Sequence, residues 1–118
     1  MGEMDKTLQE EITRFHAQIC SGLAEPSRIL LLYALAERPQ TVTDLVNRLG
    51  MPQPTVSRHL KVLRERGMVK ATRDAQNICY ALSDRRIIEA LDLLRAVLAD
   101  QLADHGNLAR NATARPSI

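Results

Sequence analysis

The chain has 118 residues, of which 45% are hydrophobic, and this is enough for one folded domain with its own core. One Phe, two Tyr and no Trp leave that core to aliphatic side chains. No run approaches the roughly 18 apolar residues of a membrane span, and the polar, acidic N-terminus lacks the pattern of a signal peptide. We therefore predict a cytoplasmic protein with a domain over residues 1–105 and a disordered tail at 106–118, where apolar periodicity is lost.

The first predicted element is a long amphipathic helix near the N-terminus. Its apolar residues step by 4, 3, 4 and 4 positions and therefore share one face: Leu8, Ile12, Phe15, Ile19 and Leu23.

Two short helices joined by a tight turn are predicted over residues 41–66. In the first, apolar residues recur at i, i+3, i+4 and i+7, and Thr41 with Asp44 has nearly the spacing of a capping box. Gly50 stops this helix, residues 51–53 make the turn, and Pro54 opens the second helix over residues 54–66. This order is typical of a helix-turn-helix.

The second helix of this pair separates apolar from basic side chains. At about 100° per residue, Val56, Leu60 and Leu63 point inward, and the outward set is Ser57, Arg58, Lys61 and Arg64. Residues 50–73 contain six bases and one acid, although the formal net charge of the chain is only +2. Such a concentration of charge attracts phosphates. The alternative is a solvated amphipathic helix without a ligand.

After Gly67 the apolar period changes to two. Residues 68–72 are predicted to be extended, residues 74–77 to turn, and Ile78, Tyr80 and Leu82 to alternate on a second strand. This predicts a β-hairpin, or wing, over residues 68–82, with these residues at its tip: Arg73, Gln76 and Asn77. The hairpin either reaches DNA with that tip or only covers the core.

The last predicted element is a long helix with Ser83 as its N-cap. A minimal winged helix does not need both this helix and the first for its own core, so we predict that their apolar stripes contact a partner. The interface set is Leu8, Ile12, Phe15, Ile19, Leu91, Leu94, Leu98 and Leu102. The alternative is that both stripes pack within one chain.

Three segments, LAEPSRILLLYAL, TVSRHLKVLRERGMV and ICYALSD, together resemble the ArsR/SmtB family of bacterial winged-helix repressors. Residues 23–28 match the leucine-alanine-acid-proline-x-arginine start of that family's second helix, and residues 57–60 match its serine-arginine-histidine-leucine core of the recognition helix. The resemblance covers roughly residues 8–104. It implies a homodimer whose first and last helices pack across a two-fold axis, and which binds a DNA operator and is released, or sometimes modulated, by a small inducer. A two-fold dimer spaces two recognition helices roughly 34–36 Å apart, which suits a palindromic operator.

The sequence does not identify that inducer. The place of the family's arsenite-binding cysteine pair is taken by residues 41–44, and its zinc positions hold residues with no nitrogen or sulfur ligand to offer: Asp84, Arg86, Val97 and Asp100. We therefore predict no metal site and no cofactor. Cys20 and Cys79 remain candidates for thiol sensing of an oxidant, a soft metal or an arsenical. The alternative is that they are a small buried hydrophobe and an incidental strand residue.

These features predict a dimeric DNA-binding transcriptional regulator, mainly α with a small β-hairpin, in a winged helix-turn-helix fold. The predicted DNA contacts are Gln53, Thr55, Ser57, Arg58, His59, Lys61, Arg64, Arg73, Gln76 and Asn77. The chain has no glycine-rich phosphate loop and no acid matched to His59, so we predict that it is not an enzyme. The alternative function is a winged-helix module for protein–protein interaction without specific DNA binding.

Overall fold

The structure, a computed structural model, describes residues 5–114, with side chains to residue 106. In chain order its elements are α1 (Lys6–Phe15), a π-helical segment (His16–Cys20), α2 (Pro26–Glu37), β1 (Gln40–Thr41), α3 (Val42–Leu49), α4 (Gln53–Glu65), β2 (Val69–Asp74), β3 (Asn77–Leu82) and α5 (Arg86–Ala114). None of these helices is long and apolar enough to cross a membrane. Contacts divide the chain into two compact units, one up to residue 85 and one from residue 86 onward. The single domain over residues 1–105 stays a prediction.

The core of the first unit is aliphatic, as predicted. Its fully buried apolar side chains come from α2, α3, α4 and the start of the hairpin: Leu31, Leu32, Leu45, Val56, Leu60, Leu63 and Met68. The three side chains predicted to point inward from the second helix of the pair are therefore confirmed. Because the apolar side of α4 is committed to this core, its opposite side faces solvent.

Local sequence signals fix the helix-turn-helix. The Thr41 hydroxyl accepts from the Asp44 N–H at 3.1 Å, and the Asp44 carboxylate accepts from the Thr41 N–H at 3.1 Å, which completes the predicted capping box. Gly50 follows α3 with φ of 70°, a left-handed conformation that glycine adopts without a steric cost. The turn between α3 and α4 is thereby set by short-range chemistry.

A three-stranded antiparallel sheet follows α4, with strand order β1-β3-β2. The predicted hairpin is confirmed: Val69 lies opposite Leu82 and Asp74 lies opposite Asn77. Strand β1 was not predicted, because two residues are too few to show an alternation. It pairs with the free edge of β3, so that Gln40 lies opposite Tyr80 and the chain just before α3 is joined to the wing.

Several boundaries differ from the prediction. Helix α4 begins at Gln53 and ends at Glu65, one residue earlier than predicted at each end, so Pro54 occupies its second position. Helix α5 begins at Arg86, and Ser83 is not its N-cap; the Ser83 hydroxyl instead donates to the Gly67 carbonyl at 2.7 Å. The backbone of α5 stays helical to Ala114, past the predicted start of the tail, and residues 115–118 lie outside the described residues.

The first helix is shorter than its apolar stripe suggested. After Phe15 the helix adopts the π-helical pattern, in which bonded residues are five positions apart. The Ser21 N–H donates to the His16 carbonyl at 3.0 Å. This extra residue per turn shifts the face on which Ile19 and Leu23 lie. The apolar spacing could not reveal it, because both helix types leave residues four apart near each other.

Candidate nucleic-acid interface

The outward side of α4 presents the predicted polar and basic residues. Gln53, Arg58, Lys61 and Arg64 are exposed, and Thr55 and Ser57 are half-buried. The N-terminal turn of α4, which carries Gln53 and Thr55, follows the tight turn directly. In a helix-turn-helix this end of the second helix is the one that reaches base edges.

His59 is a correction to the predicted set of DNA contacts. Its side chain is buried, with 7% of the residue exposed, and its Nδ1 lies 3.3 Å from an Nη1 atom of Arg28 on α2. Burial lowers the pKa of His59 below the ordinary value of 6.5, and the Arg28 and Arg58 guanidinium groups lower it further, against the opposing charge of Glu25. His59 is therefore a neutral packing residue, and the sequence missed this because Arg28 lies 31 positions away.

Arg66, one of the six bases in the basic segment, is committed to the chain itself. Its Nη1 donates to the carbonyl of Ala17, to the carbonyl of Gln18 at 3.3 Å and to the Ser21 hydroxyl at 2.6 Å. The Gln18 amide donates back to the Arg66 carbonyl at 3.4 Å. Arg66 thus fastens the end of α4 to the π-helical segment, and the exposed bases that remain are Arg58, Lys61, Arg64, Lys70 and Arg73.

The wing tip lies where the sequence placed it. The turn is Ala75 and Gln76, between the paired residues Asp74 and Asn77, and Arg73, Gln76 and Asn77 are all exposed. Because β3 is held between β1 and β2, the base of the wing is fixed while its tip projects. The tip carries one cation, Arg73, beside one carboxylate, Asp74, so its net charge is close to zero.

The apolar stripe of α1 is exposed, as a partner-binding surface requires. Leu8 is 37% exposed, and Ile12 and Phe15 are each 52% exposed. Ile19, in the π-helical segment, is half-buried. No residue of α1 is buried.

The stripe of α5 begins later than predicted. Leu91 is 6% exposed, so it is already buried within the single chain and is a correction to the predicted interface set. Leu94, Leu98 and Leu102 are exposed, at 63%, 55% and 63%. Two further exposed apolar residues, Leu93 and Val97, were missed. A step of four residues cannot tell where burial within the chain ends and an exposed stripe begins.

The two cysteines are both unpaired thiols and both half-buried. Cys20 ends the π-helical segment. Cys79 lies on the central strand β3, opposite Thr72 on one side and Thr41 on the other. Among the residues with described side chains, no three His, Cys, Asp or Glu residues cluster as metal ligands.

A helix-turn-helix followed by a hairpin defines the winged helix-turn-helix class. Residues 25–71 match the model of the bacterial regulatory protein family arsR. The chain is 42% identical over 79 residues to the HTH-type transcriptional regulator NmtR of Mycobacterium tuberculosis, covering 64% of this chain and 66% of that protein. It is 36% identical over 77 residues to the transcriptional repressor SmtB of the same species, covering 65% of this chain and 57% of that protein.

A solved structure agrees with the sequence matches. The crystal structure of Rv0081 from M. tuberculosis superposes with a TM-score of 0.71 at 35% identity, covering 80% of this chain and 95% of that chain. This chain therefore belongs to the arsR family of bacterial regulatory proteins, and the resemblance seen in its sequence is confirmed. The match spans less than two thirds of NmtR and of SmtB.

Proposed function

We propose that this protein is a homodimeric DNA-binding transcriptional repressor that places α4 in the major groove of a palindromic operator. The observation that carries the proposal is the two-sided character of α4. Its apolar side is fully buried, and its opposite side exposes Arg58, Lys61 and Arg64 next to the wing cations Lys70 and Arg73. A rigid helix with one exposed basic side suits a groove lined by phosphates.

The exposed residues divide into two roles by position. Gln53, Thr55, Ser57 and Arg58 lie in the first half of α4, the half that enters the groove, and they read base edges. A second set holds the phosphate backbone and fixes the register: Lys61, Arg64, Arg73, Gln76 and Asn77. An arginine such as Arg58 can pair with a guanine through two hydrogen bonds, which is the commonest specific contact in the major groove.

The exposed stripes of α1 and α5 support a second copy of this chain as the partner. Each stripe exposes large aliphatic or aromatic side chains along one side of a helix, and water is a poor environment for them. In a two-fold dimer, the stripes of one protomer pack against the stripes of its partner, and the dimer carries two copies of α4. Two copies of α4 then read two half-sites, which a monomer cannot do.

Repression by such a dimer requires a signal for release, and the cytoplasm is where both the operator and a small inducer are available.

If the signal acts on a thiol, Cys20 matters more than Cys79. Cys20 ends the π-helical segment, in which the Ala17 and Gln18 carbonyls accept hydrogen bonds from Arg66, whereas Cys79 lies within the sheet. Operator binding by the Cys20→Ser and Cys79→Ser proteins, with oxidant, polysulfide, arsenite and zinc, tests this order. If both variants respond to every agent as wild type does, the thiols have no role in sensing.

Selection from a random duplex library tests the proposed function. We expect the bound duplexes to share an inverted repeat whose half-sites lie about one helical turn apart. Arg58→Ala should relax one base position in each half-site and lower affinity by about 1–3 kcal/mol for each lost base contact. Failure to enrich any sequence, with the wild-type protein folded and dimeric, would favour the alternative function in protein–protein interaction.

A further inference from the structure

A single guanidinium joins the recognition helix to the chain segment before α2. Arg28, in the first turn of α2, donates from Nε to the Gly22 carbonyl at 2.7 Å and from Nη2 to the Ser21 carbonyl at 3.2 Å. Its Nη1 lies 3.3 Å from His59 Nδ1. One side chain therefore uses three of its nitrogens to connect two backbone carbonyls with the middle of α4.

The contact defines the protonation state of His59. A guanidinium has only donors, so the Nδ1 atom that faces it must be an acceptor, and the ring proton is on Nε2. The charged groups that act on the ring are Arg28 of α2, Glu25 at the cap of α2 and Arg58 of α4 itself. The Glu25 carboxylate is held by the Ser27 N–H at 3.2 Å. A proton on Nδ1 would place one donor against another and end the contact.

Position makes this contact relevant to DNA. His59 follows Ser57 and Arg58, the residues proposed to read bases, and its ring is the point at which α2 holds that part of α4 through a side chain. Without the contact, α4 keeps its apolar packing but loses a directional restraint. The orientation of α4 would then become fixed only when DNA binds, and the free-energy cost of that ordering weakens specific binding.

We propose that Arg28 is a positioning residue for the recognition helix and that it acts only on neutral His59, so that protonation of His59 weakens specific operator binding. The inference rests on the proposed function and adds a form of regulation to it. Burial and two guanidinium groups lower the pKa of His59 in the folded protein, so the restraint is complete above about pH 6.5 and is lost as pH falls through the lowered value.

The test compares wild type with His59→Asn. The Asn Oδ1 atom can replace Nδ1 as an acceptor for Arg28, and it does not titrate in this range. The probes are the selected operator duplex and a scrambled duplex of equal length, measured by fluorescence anisotropy between about pH 8 and about pH 5. The ratio of the two affinities removes the general gain in DNA affinity that any protein shows as it becomes more positive.

We expect the wild-type ratio to fall about tenfold as the pH passes through the midpoint of the His59 ring titration, as the loss of one hydrogen bond to a charged group predicts. The ratio for His59→Asn should stay constant. His16→Asn, at an exposed position of the π-helical segment, is the matched control and should follow wild type. A constant wild-type ratio, or a fall in His59→Asn equal to that of wild type, would overturn the inference.

Nitrogen chemical shifts of the His59 ring give a readout that does not depend on DNA. We expect the neutral Nε2–H form near neutral pH and a titration midpoint below 6.5. A charged ring at neutral pH, or the Nδ1–H form, would overturn the role of Arg28 while leaving operator binding intact. Absence of specific DNA binding at every pH would instead refute the proposed function, and the regulatory inference with it.

Discussion

Lys61→Ala offers the sharpest test of the DNA contacts proposed for α4 and the wing. Five cations are exposed on these elements, and Arg66 is excluded because it is bonded to backbone carbonyls. Arg58 is proposed to read a base, which leaves four cations for phosphates: Lys61, Arg64, Lys70 and Arg73. Each neutralised phosphate contributes about −0.9 to the slope of log affinity against log salt, so four contacts give roughly −3.6 for one protomer and about −7 for a dimer. Removing Lys61 from both protomers should make the slope shallower by about two.

The assay is anisotropy of a labelled operator duplex and of an unrelated duplex, each titrated between about 50 and about 200 mM salt. Lys61→Ala should weaken binding to both duplexes by a similar factor, because a phosphate contact carries no base information. Arg95→Ala is the control, since Arg95 is an exposed cation on α5 that pairs with Asp92 at 3.5 Å. An unchanged slope for Lys61→Ala, or an equal change for Arg95→Ala, would refute this reasoning.

Three further outcomes follow from the fold. Replacing Leu94 and Leu98 by Glu should give monomers in sedimentation and lose cooperative operator binding, because both are exposed in the single chain; a dimer of undiminished stability would contradict the proposed interface. Gly22→Ala should lower the free energy of unfolding by about 1–3 kcal/mol in urea, since its Cβ would lie 2.4 Å from the buried Met68 Cε; an unchanged value would mean that Met68 repacks without cost. Thr41→Ala should cost about 1 kcal/mol in the same assay through loss of the capping box, and no loss would show that the Asp44 side alone suffices.

The parts of the fold that could be predicted from sequence are those set by short-range rules. The capping box of Thr41 and Asp44, the left-handed Gly50 and the alternation in β3 each depend on residues a few positions apart. The outward side of α4 followed from helical geometry alone. These elements are sufficient to identify a helix-turn-helix with a wing, and the family match agrees with them.

The parts that could not be predicted depend on long-range packing. His59 and Arg58 are neighbours in sequence, yet His59 is a buried acceptor that faces Arg28 of α2, and Arg58 is exposed to solvent. Arg66 has the charge of a phosphate ligand, but its partners lie 45 to 49 residues earlier in the chain. Leu91 and Leu94 belong to the same predicted apolar stripe, yet Leu91 is buried and Leu94 is exposed. In each case composition and spacing specify the side chain but not its partner.

Residues 16–22 connect α1 to α4. They follow directly on the exposed stripe of α1, and they provide the backbone carbonyls that receive Arg28 and Arg66. Arg28 leads to the middle of α4 and Arg66 leads to its end. A displacement of α1 by a partner is therefore transmitted to α4 at two points along its length. Two points of attachment restrain both the rotation and the translation of that helix. Amino-acid changes in this short segment should accordingly alter DNA affinity without touching any residue that faces DNA.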